Sequence, residues 1–188
     1  MDSFFGKLFR RNKKGSERRP ETSYSESTYS SLPSELEIKV VLLGDTNTGA
    51  KTSFCSRYVN DTFDESAKPT LGPNLISKSI SVRGSTVKIT VWDIPGQENY
   101  LQLAGLYFRN ANCIVLGYDI TSRESFDAIR QRDYRTMIEN YCPNALIMVI
   151  GNKHDLESER QVSPEDGRNL AEDCNTSLFF ESKIITEL

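Results

Sequence analysis

The chain has 188 residues, with 37% hydrophobic and 26% charged side chains, the proportions of an ordinary folded domain with an appendage. Its longest apolar runs, such as 39–43 and 145–150, are far too short for a transmembrane helix. Four scattered cysteines, a single histidine and no Cys-x-x-Cys pair argue against a zinc site and for reduced thiols.

The net charge of −3 is unevenly spread. Residues 1–20 carry seven basic side chains against Asp2 and Glu17, so a basic head precedes an acidic body with no general affinity for nucleic acid. In "MDSFFGKLFRRNKK", Phe4 stands over Leu8 and Phe5 over Phe9 at helical spacing. A short amphipathic helix of this kind can lie on an anionic membrane, although Gly6 weakens it. The arginines that follow exclude a secretory signal, and Asp2 excludes myristoylation. Residues 21–36, "ETSYSESTYSSLPSEL", contain too few aliphatic side chains to offset ordering and read as a linker. The folded domain is then 37–188.

Within it, "EIKVVLLG" is a buried strand ending in glycine, followed by a helix over about 52–58. "LISKSISV" and "STVKITVWD" alternate polar and apolar residues around Arg83-Gly84, as a hairpin does. "CIVLGYDI" and "ALIMVIGN" are two further apolar strands. Between them Phe126, Ile129, Tyr134, Met137 and Ile138 line one helical face, with N-cap material at Ser122. Ser163-Pro164 opens another helix, and "SLFF" is a last strand. Alternating strands and helices predict a mostly parallel sheet covered on both faces, with ligands at the carboxyl ends of its strands.

Four motifs fall at those ends. "GDTNTGAKTS" is glycine-rich and opens a helix, so its N–H groups can cradle phosphate, with Lys51 on the outer phosphates and the Thr52 hydroxyl on Mg²⁺. The usual spacing is altered, because Ala50 separates Gly49 from Lys51. Thr70 follows in "KPTLGPN". In "WDIPGQE", Asp93 can hold Mg²⁺, the Gly96 N–H can meet a terminal phosphate, and Gln97 can orient an attacking water. "GNKHD" closes the series.

In this order the motifs resemble the Ras superfamily of small GTPases, and within it the Rab family, over about residues 37–183. "TVWDIPGQENY", "YFRNA" and "YDITSRESF" are the Rab-like stretches. The resemblance implies an α/β P-loop NTPase G domain, with a six-stranded mostly parallel sheet, one antiparallel edge strand and helices on both faces. It implies GTP and GDP as ligands with Mg²⁺, held by a phosphate loop of Gly44, Asp45, Thr46, Asn47, Thr48, Gly49, Ala50, Lys51, Thr52 and Ser53. Thr52, Thr70 and Asp93 would serve the metal, Gly96 the γ-phosphate and Gln97 catalysis. Asp155 would read guanine, with Asn152 and Lys153 around the base and Ser182-Lys183 as a shortened form of the last guanine loop. The activity implied is slow GTP hydrolysis in a vesicle-traffic switch. Its partners would be an exchange factor, a GTPase-activating protein and effectors, and its place the cytoplasm, peripheral on endomembranes.

Departures from the pattern are Ala50 with the extra loop residue, Pro95 where alanine is usual, and Pro73-Asn74 after Gly72. The chain also has no cysteine after Cys174 for prenylation and no residues for the family's final helix. An incomplete domain with an uncovered apolar patch on the sheet is therefore expected. These departures set an alternative beside the switch: a Rab-like interaction module that binds nucleotide poorly. An ATP-using kinase is disfavoured by "GNKHD".

Overall fold

The computed structural model describes residues 36–45, 51–60, 72–82, 85–96, 100 and 102–183. The basic head, the linker up to residue 35 and the Arg83-Gly84 turn lie outside these residues. Six strands form one sheet: β1 (Leu36–Leu43), β2 (Asn74–Val82), β3 (Ser85–Asp93), β4 (Cys113–Asp119), β5 (Leu146–Asn152) and β6 (Phe179–Ser182). The spatial order is β2-β3-β1-β4-β5-β6. Only the β2–β3 pair is antiparallel, running from Asn74↔Asp93 to Val82↔Ser85; the other pairs are parallel. The expected α/β architecture with one antiparallel edge is therefore present.

The composition of each strand follows its place. β4 is central and all seven of its residues are buried, as a strand covered on both faces requires. β2, at the edge, alternates exposed and half-buried residues: its serines face outward, while Lys78 lies on the half-buried face and donates to the Tyr58 carbonyl of the first helix at 2.7 Å.

Helices α1 (Thr52–Asn60), α2 (Ala104–Phe108), α3 (Arg123–Gln131), α4 (Tyr134–Tyr141) and α5 (Pro164–Asp173) flank the sheet, with a 3₁₀ turn at His154–Glu159. Val41, Leu43, Ile114, Leu116, Tyr118 and Val149 point to one face. They meet Phe108 of α2, Phe126 and Ile129 of α3, Tyr134 and Ile138 of α4, and Leu170 and Ala171 of α5 in one buried cluster. Phe54 of α1 lines a narrow crevice with Leu42, Val115 and Ile150 on the opposite face.

Two expectations are corrected here. The stretch 122–141 is not one helix but two. Ser122 caps α3 by accepting from the Ser125 N–H at 3.2 Å, but the backbone turns extended at Arg132 (φ −83°, ψ 117°). Asp133 then caps α4 by accepting from the Thr136 N–H at 3.1 Å. An aspartate that competes for helical N–H groups favours a new start over continuation. The apolar stripe survives because each short helix turns its own buried residues to the sheet. The second correction concerns the uncovered apolar patch. Val40, Leu42, Val115, Met148 and Ile150, all on the α1 face, are buried, as are Phe54, Cys55 and Tyr58 of α1 itself, so that exposure on this face is confined to its margins, at Leu36 and the half-buried Leu146 and Phe180.

Phe126 is fully buried and packs edge-on against Tyr118 with ring centroids 5.1 Å apart. Replacing it with alanine is expected to cost about 3–5 kcal/mol. Urea unfolding of the two chains compared at one temperature measures this, and a loss under about 1 kcal/mol would mean that α3 does not anchor the core.

Candidate functional site

The predicted motifs reach the carboxyl edge of the sheet because parallel strands all end there. β1 ends at Leu43 and is followed by Gly44, whose φ is +152°. A Cβ on Gly44 would stand 2.2 Å from the Gly117 carbonyl oxygen of β4. Glycine is therefore required by the neighbouring strand, in addition to any need of a ligand. Thr46, Asn47, Thr48, Gly49 and Ala50 lie outside the described residues. The backbone of Thr52 and Ser53 opens α1, where the sequence placed the start of a helix; their side chains, too, lie outside the described structure.

Lys51 precedes that helix and is buried. Its Nζ donates to the carbonyl oxygens of Gly44 at 2.9 Å and of Asp45 at 2.5 Å, so the lysine folds back over the start of its own loop. Burial lowers its pKa to about 8; the carboxylates of Asp93 and Asp45 oppose that shift and the Arg132 guanidinium adds to it. Asp93, the last residue of β3, is completely buried, and Pro95 and Gly96 beside it are buried too. Lysine and carboxylate thus share one low-dielectric recess at the ends of β1 and β3. Thr70 and Gln97 lie outside the described residues.

A second cluster forms at the ends of β4, β5 and β6. Asn152 is buried at the last position of β5, paired in register with Asp119 on one side and Ser182 on the other. The Ser182 hydroxyl donates to Asn152 Oδ1 at 3.2 Å, and the Asn152 carbonyl accepts from the Ile120 N–H. Lys153 follows in the left-handed region (φ 63°), which turns the chain sharply off the strand. Its Nζ meets Asp119 Oδ2 at 2.6 Å. Asp155 is exposed in the 3₁₀ turn and Lys183 is exposed beyond β6. An exposed acceptor beside a buried asparagine and an apolar lysine stem is a combination suited to a flat, donor-bearing base.

Three contacts in this region were not anticipated. Asp119 holds Lys153 with one carboxylate oxygen while the other accepts from the Thr121 N–H (2.8 Å) and hydroxyl (2.7 Å). Its signal was a carboxylate ending an otherwise apolar strand. Arg160 joins Glu181 at 2.7 Å and Glu157 at 2.6 Å, and donates to the Val162 carbonyl at 2.8 Å, which braces the residue preceding Ser182. Arg132 pairs with Asp45 at 2.9 Å across 87 residues, a distance in sequence at which no local pattern operates.

A sequence model of the Ras family matches residues 39–186. The chain belongs to the Ras family. Its relatives place it among the Rab-type small GTPases. The Ras-related protein Rab-12 of Mus musculus is 33% identical over 151 residues, 80% of this chain and 61% of that protein. The Ras-related protein Rab-3D of Mus musculus is 39% identical over 142 residues, 75% and 64% respectively. The Ras-related protein Rab-3A of Homo sapiens is 36% identical over 160 residues, covering 85% of this chain and 71% of that protein. The match thus spans about three fifths of the length of Rab-12.

Two outcomes follow for this Rab-type chain. Gly44→Ala places a methyl group against backbone at positive φ and should cost roughly 2–4 kcal/mol in chemical unfolding. A cost below half a kcal/mol would show that β1 and β4 can part at no expense. The second outcome concerns pH in the nucleotide-free chain. The Lys51 pKa falls from 10.5 to about 8 on folding, so between these values the unfolded chain holds a proton that the folded chain has released. Stability from this group therefore rises with pH from about 8 to 10.5. Unfolding free energies at the two ends of that window should show the rise in the native chain and lose it in Lys51→Met.

Proposed function

We propose that this chain is a guanine-nucleotide-dependent switch of the Rab type that binds GTP and GDP with Mg²⁺ and hydrolyses GTP slowly. The observation that carries the proposal is the pairing of two poles along one sheet edge. One is the Lys51–Asp93 recess, and the other is the Asn152–Ser182 and Lys153–Asp119 cluster. A triphosphate at the first and a base at the second would occupy the crevice where parallel α/β sheets take ligands.

In this reading Gly44, Asp45, Thr46, Asn47, Thr48, Gly49, Ala50, Lys51, Thr52 and Ser53 wrap the phosphates. Lys51 leaves the carbonyls of Gly44 and Asp45 for the outer phosphates, and contact with an anion favours its charged form against the burial that lowers its pKa. Asp155 accepts from the two donors on the guanine edge, which disfavours adenine because the mismatch strands a carboxylate. Asn152 ties the base loop to Ser182, and Lys153 lies along the base with Lys183 nearby.

The residues for Mg²⁺ are a buried carboxylate, Asp93, and the hydroxyls of Thr52 and Thr70. This all-oxygen donor set suits a hard divalent cation. Bound Mg²⁺ would supply positive charge against the β- and γ-phosphates. Gln97 orients the attacking water, and Gly96 donates its N–H to the γ-phosphate. Without an arginine supplied from a partner, turnover should be on the order of 10⁻⁴ s⁻¹. The regulators are an exchange factor and a GTPase-activating protein, with effectors reading the triphosphate state in vesicle traffic. The chain acts in the cytoplasm, with residues 1–20 resting on anionic endomembranes. Among the described residues no helix is long and apolar enough to cross a membrane.

One observation favours a second reading, a Rab-shaped interaction module with poor nucleotide binding. Lys51 is already satisfied by carbonyls of its own loop, so binding must first break those bonds. Titration of the full chain with fluorescent GDP and GTP, with and without Mg²⁺ and against ATP, separates the two. The switch predicts saturable, Mg²⁺-dependent, guanine-selective binding, weakened at least tenfold by Asp155→Ala, and single-turnover hydrolysis slowed about tenfold or more by Gln97→Leu. Well-folded chain with no saturable binding would establish the interaction module instead.

A further inference from the structure

Arg132 has no role in the site as read from the motifs, yet it reaches the phosphate loop. It occupies the break between α3 and α4, where its N–H donates to the Ala128 carbonyl at 3.2 Å and its own carbonyl accepts from the Tyr134 N–H at 2.6 Å. The break is thus tied on both sides, and the extended backbone there lets the side chain leave the helix line. Its Nη2 meets Asp45 Oδ1 at 2.9 Å, and Nη1 contacts the Tyr134 hydroxyl at 3.4 Å. The two ionised side chains are only 21% and 25% exposed.

We propose that Arg132 is a positioning residue of the nucleotide site: it neutralises Asp45, so that the carboxylate at the start of the phosphate loop does not repel the phosphates of a guanine nucleotide. This deepens the nucleotide-switch reading and rests on it. Asp45 directly follows Gly44, and its carbonyl is one of the two that hold Lys51. A carboxylate at the head of an anion cradle repels the ligand, and with Asp93 also in the recess Lys51 alone does not offset both carboxylates. Arg132 brings the balance to zero, and its planar guanidinium is suited to hold a carboxylate in a fixed direction. Partial burial keeps the pair from being screened as a surface pair would be. The charges of Asp93, Asp45 and Arg132 all bear on Lys51, so the four groups form one electrostatic unit. Arg132 touches the loop and not the reacting atoms, and its effect on ligand passes through Asp45.

The test uses the full chain and fluorescent GDP. Kd and release rate are measured at low and high salt for the native chain, Arg132→Ala, Asp45→Asn and the double variant, together with thermal midpoints. Arg132→Ala leaves the Asp45 carboxylate without its counter-charge and should weaken GDP binding about tenfold and speed its release. In the double variant the offending carboxylate is gone, so its affinity should lie within about threefold of that of Asp45→Asn and above that of Arg132→Ala. A merely structural ion pair would lower the thermal midpoint of both variants with no such recovery. Arg132→Gln replaces Arg132→Ala if the latter does not fold. Native-like GDP affinity in the Arg132 variant, or a double variant no better than the single, overturns the inference alone. A folded native chain that does not bind GDP overturns the switch reading, and this inference with it.

Discussion

At the end of β1 the backbone passes so close to β4 that no side chain fits between Gly44 and the carbonyl of Gly117. β1 lies inside the sheet, with β3 on one side and β4 on the other, so this contact fixes where the chain leaves the strand. Everything that follows inherits that point of departure. Lys51 can fold back over Gly44, α1 begins where it can cover Leu42, Val115 and Ile150, and Asp93 arrives on the next strand at the same height. Leu42 stands opposite Asp93 in register, so sheet geometry brings the buried carboxylate to the end of β1, and the fold-back of Lys51 onto Gly44 brings the lysine to the same place.

The opposite pole is built by the same parallel register. Asp119, Asn152 and Ser182 stand side by side at the ends of three adjacent strands. Each then uses its side chain differently: Asp119 holds Lys153, Asn152 is held by Ser182, and Ser182 is braced one residue earlier by Arg160 on Glu181. The short segment after Phe180 thus has a structural role whatever its length, because Ser182 satisfies a buried asparagine. Electrostatically the two poles differ. The pole at Gly44 is a partly buried cluster of Lys51, Asp93, Asp45 and Arg132, whereas the pole at Asn152 offers an exposed Asp155 beside a neutralised lysine.

Much of this was legible in the residues. The alternation of apolar strands and helices set the α/β class, and the glycine ending "EIKVVLLG" marked the loop. "WDIPGQE" and "GNKHD" each proved to begin at a strand end, as their apolar leaders implied. Pattern reading failed where two local preferences competed. The stripe of Phe126, Ile129, Tyr134 and Ile138 has helical spacing through the whole stretch, but Asp133 starts a new helix by capping it. Spacing alone does not report a break that preserves the buried face. Likewise, an expected bare patch on the sheet is buried, since burial of Val40 or Met148 depends on what packs there and not on strand composition.

The sequence by itself determined the order of the elements, the family, and the identity of the groups at each strand end, because these depend on short-range periodicity and on chemistry that only certain side chains carry. Only the tertiary structure decided which of those groups meet. Arg132 and Asp45 are 87 residues apart, and Arg160 and Glu181 belong to different elements, so their pairing is set by sheet register and by the turn of the chain at a helix break. A charge pair of that kind leaves no periodic trace, since its geometry exists only once the strands have been laid side by side.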